Sequence, residues 1–241
     1  MNFRLLFRKV GWLITLLAGS FAGKAELVYD NTSNVKANSY TPHSFFNDTV
    51  NRRFGDEINL AGVSRQVTEV LIGYLGDFNT VTAADTVTLS LYANDGSPYF
   101  FSNGTKQTPM PGSVLWQSNP VKLAAGTQQF AFNVPNILVP TKLTWAVQFS
   151  GTTGPGHDAS LVIASPPTVG KNLGGGTIGS YNDIWVQSDP AKADSWALYT
   201  LQGGVPANFF VSVKAVPEPS TLALVAVGGA LLCWTLRQRR G

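Results

Sequence analysis

A chain of 241 residues with 44% apolar and 13% charged side chains can bury one substantial core, and its 24 glycines and 14 prolines suit short strands and turns better than long solvated helices. The formal charge of +3 suggests a polyanionic partner, but seven of the 17 basic residues lie before Glu26 or after Leu236. Between those two positions ten basic residues face 14 acidic ones, a net −4, and this excludes a basic nucleic-acid face.

Residues 1–25 have the pattern of a secretory signal peptide. "MNFRLLFRK" is a positive n-region, "VGWLITLLAG" an apolar helix too short for an ordinary span, and "SFAGKA" supplies small residues for signal peptidase after Ala22 or Ala25. Export into an oxidising compartment would permit disulfides, yet the single cysteine, Cys233, lies near the C-terminus. The stability of the body must therefore come from core packing.

The body, residues 26–214, alternates with period two. Val87, Leu89 and Leu91 share one face and Thr86, Thr88 and Ser90 the other; Phe130, Phe132 and Val134 alternate with Ala131 and Asn133; Trp145, Val147 and Phe149 alternate with Thr144, Ala146 and Gln148. Each reads as a half-buried strand. "QVTEVLIGYL", "SVLWQ", "SLVIAS", "SWALYTL" and "FFVSVKAV" add candidates separated by turn signals such as Asn94-Asp95-Gly96. About eight strands at this spacing predict an all-β domain, a two-sheet antiparallel sandwich of jelly-roll-like form. "SGTTGPGHDAS" and "PPTVGKNLGGGTIGS" read as loops. "GGGTIG" (Gly174 to Gly179) has the spacing of a dinucleotide fingerprint without the flanking strand and helix that give it meaning, so no cofactor is expected.

Catalytic groups are few. His43 and His157 are the only histidines, no metal-ligand motif or nucleophile elbow occurs, and His157-Asp158 reads as a solvated loop pair. Asp56 and Glu57 are adjacent and on a strand would point to opposite faces; Asp77, Asp85 and Asp183 read as turn or loop residues. The expectation is a protein that is not an enzyme, with no metal site. Sugar binding is the stronger alternative, because Trp116, Trp145, Trp185 and Trp196 could offer stacking faces. Tyr181, Asp183 and Trp185 share a face of an extended segment, with Asn172 and Gln187 nearby in sequence, whereas Trp145 falls on the apolar side of its strand and reads as core. Asn31, Asn47 and Asn103 open Asn-x-Ser/Thr sequons and receive no role.

"RFGDEINLAG" (Arg53 to Gly62), "VTLSLYANDG" (Val87 to Gly96), "LWQS" (Leu115 to Ser118) and "LTWAVQFSG" (Leu143 to Gly151) together resemble the choice-of-anchor group of bacterial surface domains, in its R-type form. The resemblance implies an extracellular β domain attached by a sorting tail and carries no catalytic motif.

Residues 215–241 form that tail. Thr221 to Leu236 is a 16-residue uncharged run, about 24 Å long as a transmembrane helix against a hydrocarbon core of about 30 Å, so it is a marginal span. Arg237, Arg239 and Arg240 would stay cytoplasmic, a single-pass intermediate in the inner membrane. Pro217 and Pro219 enforce an extended stretch before it, open to a protease. Pro217, Glu218, Pro219, Ser220 and Thr221, followed by an apolar run and an arginine cluster, resemble the PEP-CTERM sorting signal of Gram-negative bacteria. That resemblance implies recognition by an exosortase-type membrane protease and an association with exopolysaccharide. The expected function is a structural or adhesive protein at the cell surface or in the extracellular matrix; the alternatives are a carbohydrate-binding module and, behind it, a glycan-active hydrolase.

Overall fold

The period-two segments form two antiparallel sheets in the computed structural model, which describes residues 24–33, 35–40, 52–100, 107–152, 156–164, 166–172, 183–200, 208–218 and 228–229. The first sheet runs β1 (Glu26–Asp30), β16 (Val211–Val216), β4 (Gln66–Phe78), β12 (His157–Ala164), β2 (Val35–Tyr40), and β10 (Gly126–Leu138) pairs along β4. The second runs β15 (Trp196–Thr200), β14 (Asp183–Gln187), β3 (Arg53–Asn59), β11 (Lys142–Ser150), β5 (Thr86–Ala93), β8 (Val114–Gln117). Short pieces β9 (Val121–Lys122) and β13 (Lys171–Asn172) pair with β5 and β3, and β6 (Pro98–Phe100) pairs with β7 (Gln107–Pro109). The chain changes sheet between β3 and β4, β4 and β5, β10 and β11, and β11 and β12, so neighbours in sequence face each other across the core. Sixteen strands occur among the described residues, twice the expected number; β6, β7, β9 and β13 are only two or three residues long and too short to show alternation of their own.

The core between the sheets combines Val67, Val70, Ile72 and Tyr74 of β4 with Leu143, Trp145, Val147 and Phe149 of β11. Trp145 is fully enclosed, edge-on to Phe209 at 5.8 Å, as its place on the apolar side of the strand requires. Phe149 tilts against both Phe54 and Tyr74.

One expectation needs correcting. β10 is half-buried as its alternation predicts, but β5 and β11 are buried on both faces: Thr88, Ser90 and Tyr92 are enclosed, as are Thr144 and Ala146. A second cluster over the outer face of the second sheet, Tyr92, Met110, Ala146, Trp185 and Trp196 with Tyr99 and Leu198 against it, supplies the cover. Tyr99 belongs to β6 and Met110 follows β7, so a short hairpin hides what the strand pattern assigns to solvent.

No helix among the described residues is long and apolar enough to cross a membrane. The signal segment up to Gly23 and the predicted span 221–236, apart from the helical pair Gly228–Gly229, lie outside the described residues.

Candidate functional site

The predicted sugar patch does not form an open platform. Tyr181 lies outside the described residues, Asp183 is half-buried at the start of β14, and Trp185 has 0% exposure. Trp185 pairs with Gly55 on one side and Leu198 on the other, and Tyr99 stands edge-on to its indole at 5.6 Å. A side chain at position 55 would run into the Trp145 carbonyl oxygen, so only glycine lets β3 lie this close to the β11 backbone beside Trp185. With its faces occupied, Trp185 has none to offer a sugar ring; it packs as core.

The acidic residues divide by environment. Asp56 and Glu57 do lie on opposite sides of β3: the Asp56 charge, after burial, raises the Tyr29 phenol, whereas Glu57 is 1% exposed with the Lys142 ammonium 3.7 Å away. Continuing the β3–β14 register by two residues sets Asp183 beside Glu57. Burial pushes the Glu57 carboxyl up, Lys142 offsets this only in part, and the Asp183 charge adds to it. This acid pair is chemically capable of holding a proton, with Glu57 enclosed and Asp183 half-buried.

One other reading, from a Gly-rich loop, is revised. His157 is the first residue of β12 and not part of a solvated loop; its Nδ1 lies 3.4 Å from Oδ1 of the enclosed Asp85, and its ring stands edge-on to Phe78. Burial alone would raise the Asp85 carboxyl, but the Thr82 amide and hydroxyl and the nearby His157 outweigh it and hold the carboxyl below its ordinary range. The Thr82 N–H donates to Asp85 Oδ2 and the Asn79 N–H to the Gly156 carbonyl, so this end of the sandwich is a structural clasp. Asp95 takes the turn role expected of it, accepting from the Ser113 amide and hydroxyl, and Asp30 accepts in the same way from those of Thr32. Asn31 is fully buried, its Nδ2 donating to the Phe209 carbonyl at 2.9 Å, so that sequon is not presented for modification. Among the described residues no group of three or more His, Cys, Asp or Glu could hold a metal ion. Gly174 to Gly179 lie outside the described residues.

A groove opens where the edge strands of the two sheets, β8–β9 and β10, approach each other. It encloses about 430 Å³ and is lined by Trp116, Gln117, Asn119, Phe130, Asn133 and Pro135 together with smaller residues. Trp116 and Phe130 are partly exposed, and the amides of Gln117, Asn119 and Asn133 face solvent. The floor is fixed: Phe132 and Val134 are core residues, Phe130 stands edge-on to Phe132 at 4.8 Å, and Ser118 is tied to Leu89 by both its amide, at 2.9 Å, and its hydroxyl, at 3.0 Å. None of the lining side chains is ionisable. Of these residues the sequence reading weighed only Trp116. A further signal was present, since Lys122 is the sole charged residue from Gln107 to Thr141.

At the C-terminal end of the described body, Val216 closes β16, and Pro217 and Glu218, both half-buried, lead directly out of it. Pro219, Ser220, Thr221, Arg237, Arg239 and Arg240 lie outside the described residues. No curated protein and no solved structure matched the chain. The comparison with protein families gives a match at residues 215–240, to the PEP-CTERM protein-sorting motif. The chain therefore carries, on the last strand of its sandwich, the signal of a protein that is exported and sorted at a membrane by an exosortase system.

Proposed function

We propose that the sandwich is a non-enzymatic structural or adhesive domain, delivered by its tail to the cell surface or to an extracellular polysaccharide matrix. Signal peptidase frees the N-terminus, residues 221–236 hold the chain briefly in the inner membrane with Arg237, Arg239 and Arg240 on the cytoplasmic side, and an exosortase acts near Pro217 to Thr221. The observation that carries this reading is the junction itself: the sorting match begins at Ala215, and the last strand of the fold ends at Val216. Cutting beyond Glu218 removes no strand and no core residue among the described residues, so release and the stability of the described sandwich do not conflict. The resemblance of the body to the choice-of-anchor group supports an extracellular β domain with a surface role.

Intact-mass measurement on the protein fractionated from its native host tests this. A surface or matrix form ending near Ser220 is the expected result; a mature form that keeps Arg240 and stays in the inner membrane would refute it. A second reading, a carbohydrate-binding module, draws support from the groove at Trp116.

A further inference from the structure

We propose that the groove between β8–β9 and β10 is a binding site for a neutral polysaccharide, with Trp116 and Phe130 as its stacking surfaces and Gln117, Asn119 and Asn133 as its hydrogen-bonding rim. The inference rests on the carbohydrate-binding reading and names the site, the ligand class and the mode of recognition.

Three properties of the groove select this occupant. Partly exposed aromatic rings fit the apolar C–H face of a pyranose, and each primary amide offers both donors and an acceptor, the pairing that adjacent hydroxyls need. The absence of ionisable lining side chains means that a uronate or phosphate group would give up hydration there with no counter-charge in return. The nearest acid by register, Glu69 opposite Asn133, is engaged by Lys214 at 2.8 Å. The volume, about 430 Å³, lies at the lower end of small-molecule sites and suits a segment of one or two sugar rings.

An extended peptide added to the edge of β10 is disfavoured by the strand itself. Pro135 has no N–H to donate, Asn136 sits at φ +52°, and the register with β4 shifts between Asn133 and Ile137, so the ladder that β10 could offer an added strand is broken at the Pro135 end of the groove. The aromatic floor, by contrast, is locked to the core on both sheets and needs no rearrangement to receive a ring.

The test uses the full chain in a zwitterionic detergent, because sugar-headed detergents would compete. Calorimetric titration with hexasaccharides of β-1,3-glucan, β-1,4-glucan, α-glucan, mannan and xylan is compared with a polygalacturonate hexamer. At least one neutral probe should bind, with affinity reduced at least about tenfold in Trp116→Ala and only slightly in Trp116→Phe. That affinity should change less than about twofold between low and high salt, since no charge takes part. Asn119→Ala and Asn133→Ala, both at exposed side chains, should each weaken binding about threefold to tenfold and decide the matter if Trp116→Ala fails to fold. Binding of none of the neutral probes, preference for polygalacturonate, affinity unchanged in the Asn and Trp variants, or a peptide that protects β10 amides from exchange would each overturn the proposal. Correct surface sorting with no glycan binding removes this inference alone; glycan binding by a protein that never leaves the inner membrane removes the delivery reading alone.

Discussion

Trp185 and Trp116 occupy strands of one sheet, each in a stretch that mixes aromatic and polar residues, and they end in opposite surroundings. Trp185 on β14 is wrapped by Tyr99, Met110 and Trp196, so a ring on the outer face of the sheet becomes the centre of a second small core. Trp116 on β8 lies at the sheet margin, where the facing strand β10 belongs to the other sheet and the gap between them stays open. The difference begins with the face: Trp185 lies on the outer face, where hairpin β6–β7 folds over it, whereas Trp116, paired with Leu91, lies on the inner face at the margin where the two sheets part.

That contrast can be broken most directly at Gly55, beneath Trp185. Gly55→Ala puts a methyl group into the Trp145 backbone carbonyl, which has no room to withdraw, and the expected loss is about 3 kcal/mol or more, read as soluble yield and denaturation midpoint. The two tryptophans should then separate in size of effect: Trp185→Ala costs about 3–5 kcal/mol in urea unfolding because it empties a buried site. Trp116→Ala, partly exposed at the rim, costs about 1 kcal/mol. Equal losses would show that the margin is as closed as the face.

Smaller effects sharpen the comparison through pH. Asp85 is held below its ordinary value of 3.8, so its contribution to stability is complete above that pH and disappears as acid titrates the folded carboxylate. Asp85→Asn should therefore lose about 1–3 kcal/mol near neutrality and show a flatter acid limb than the wild type. Glu57, itself enclosed, works the other way. Its folded value lies above the ordinary 4.5, so the native state binds the extra proton and stability falls as pH rises from about 4 through the raised value. Glu57→Gln removes that fall: the advantage of wild type over the variant should shrink by about 1 kcal/mol or less between pH 4 and pH 7. A difference that grows with pH would mean that Lys142 outweighs burial.

The strands were legible because alternation is a local property, and β5, β10 and β11 fall where Val87, Phe130 and Trp145 announce them. The covered face was not legible. Its cover comes from Tyr99 and Met110, in segments whose prolines and short length read as turns, and nothing in the β5 or β11 sequence reports that a hairpin will lie over Ser90 or Ala146. The Asp85–His157 contact joins residues distant in sequence and adjacent only after β12 pairs with β4. The groove needs two edges from different sheets, so Trp116, Phe130 and Asn133 were each legible as strand residues while their meeting was not. The sorting signal was legible in full, since a machine that reads an extended segment requires no folded context.

The position of β16 has a consequence for folding. Residues 211–216 fill the place between β1 and β4, pairing Glu26 with Ala215 on one side and Val70 with Val213 on the other. Without that segment β1 has no partner among the described strands and the first sheet keeps a vacant slot. A chain that lacks residues 211–216 is therefore incompletely folded, and the segment that finishes the sheet runs directly into Pro217. Completion of the first sheet and the start of the sorting match thus fall on the same few residues.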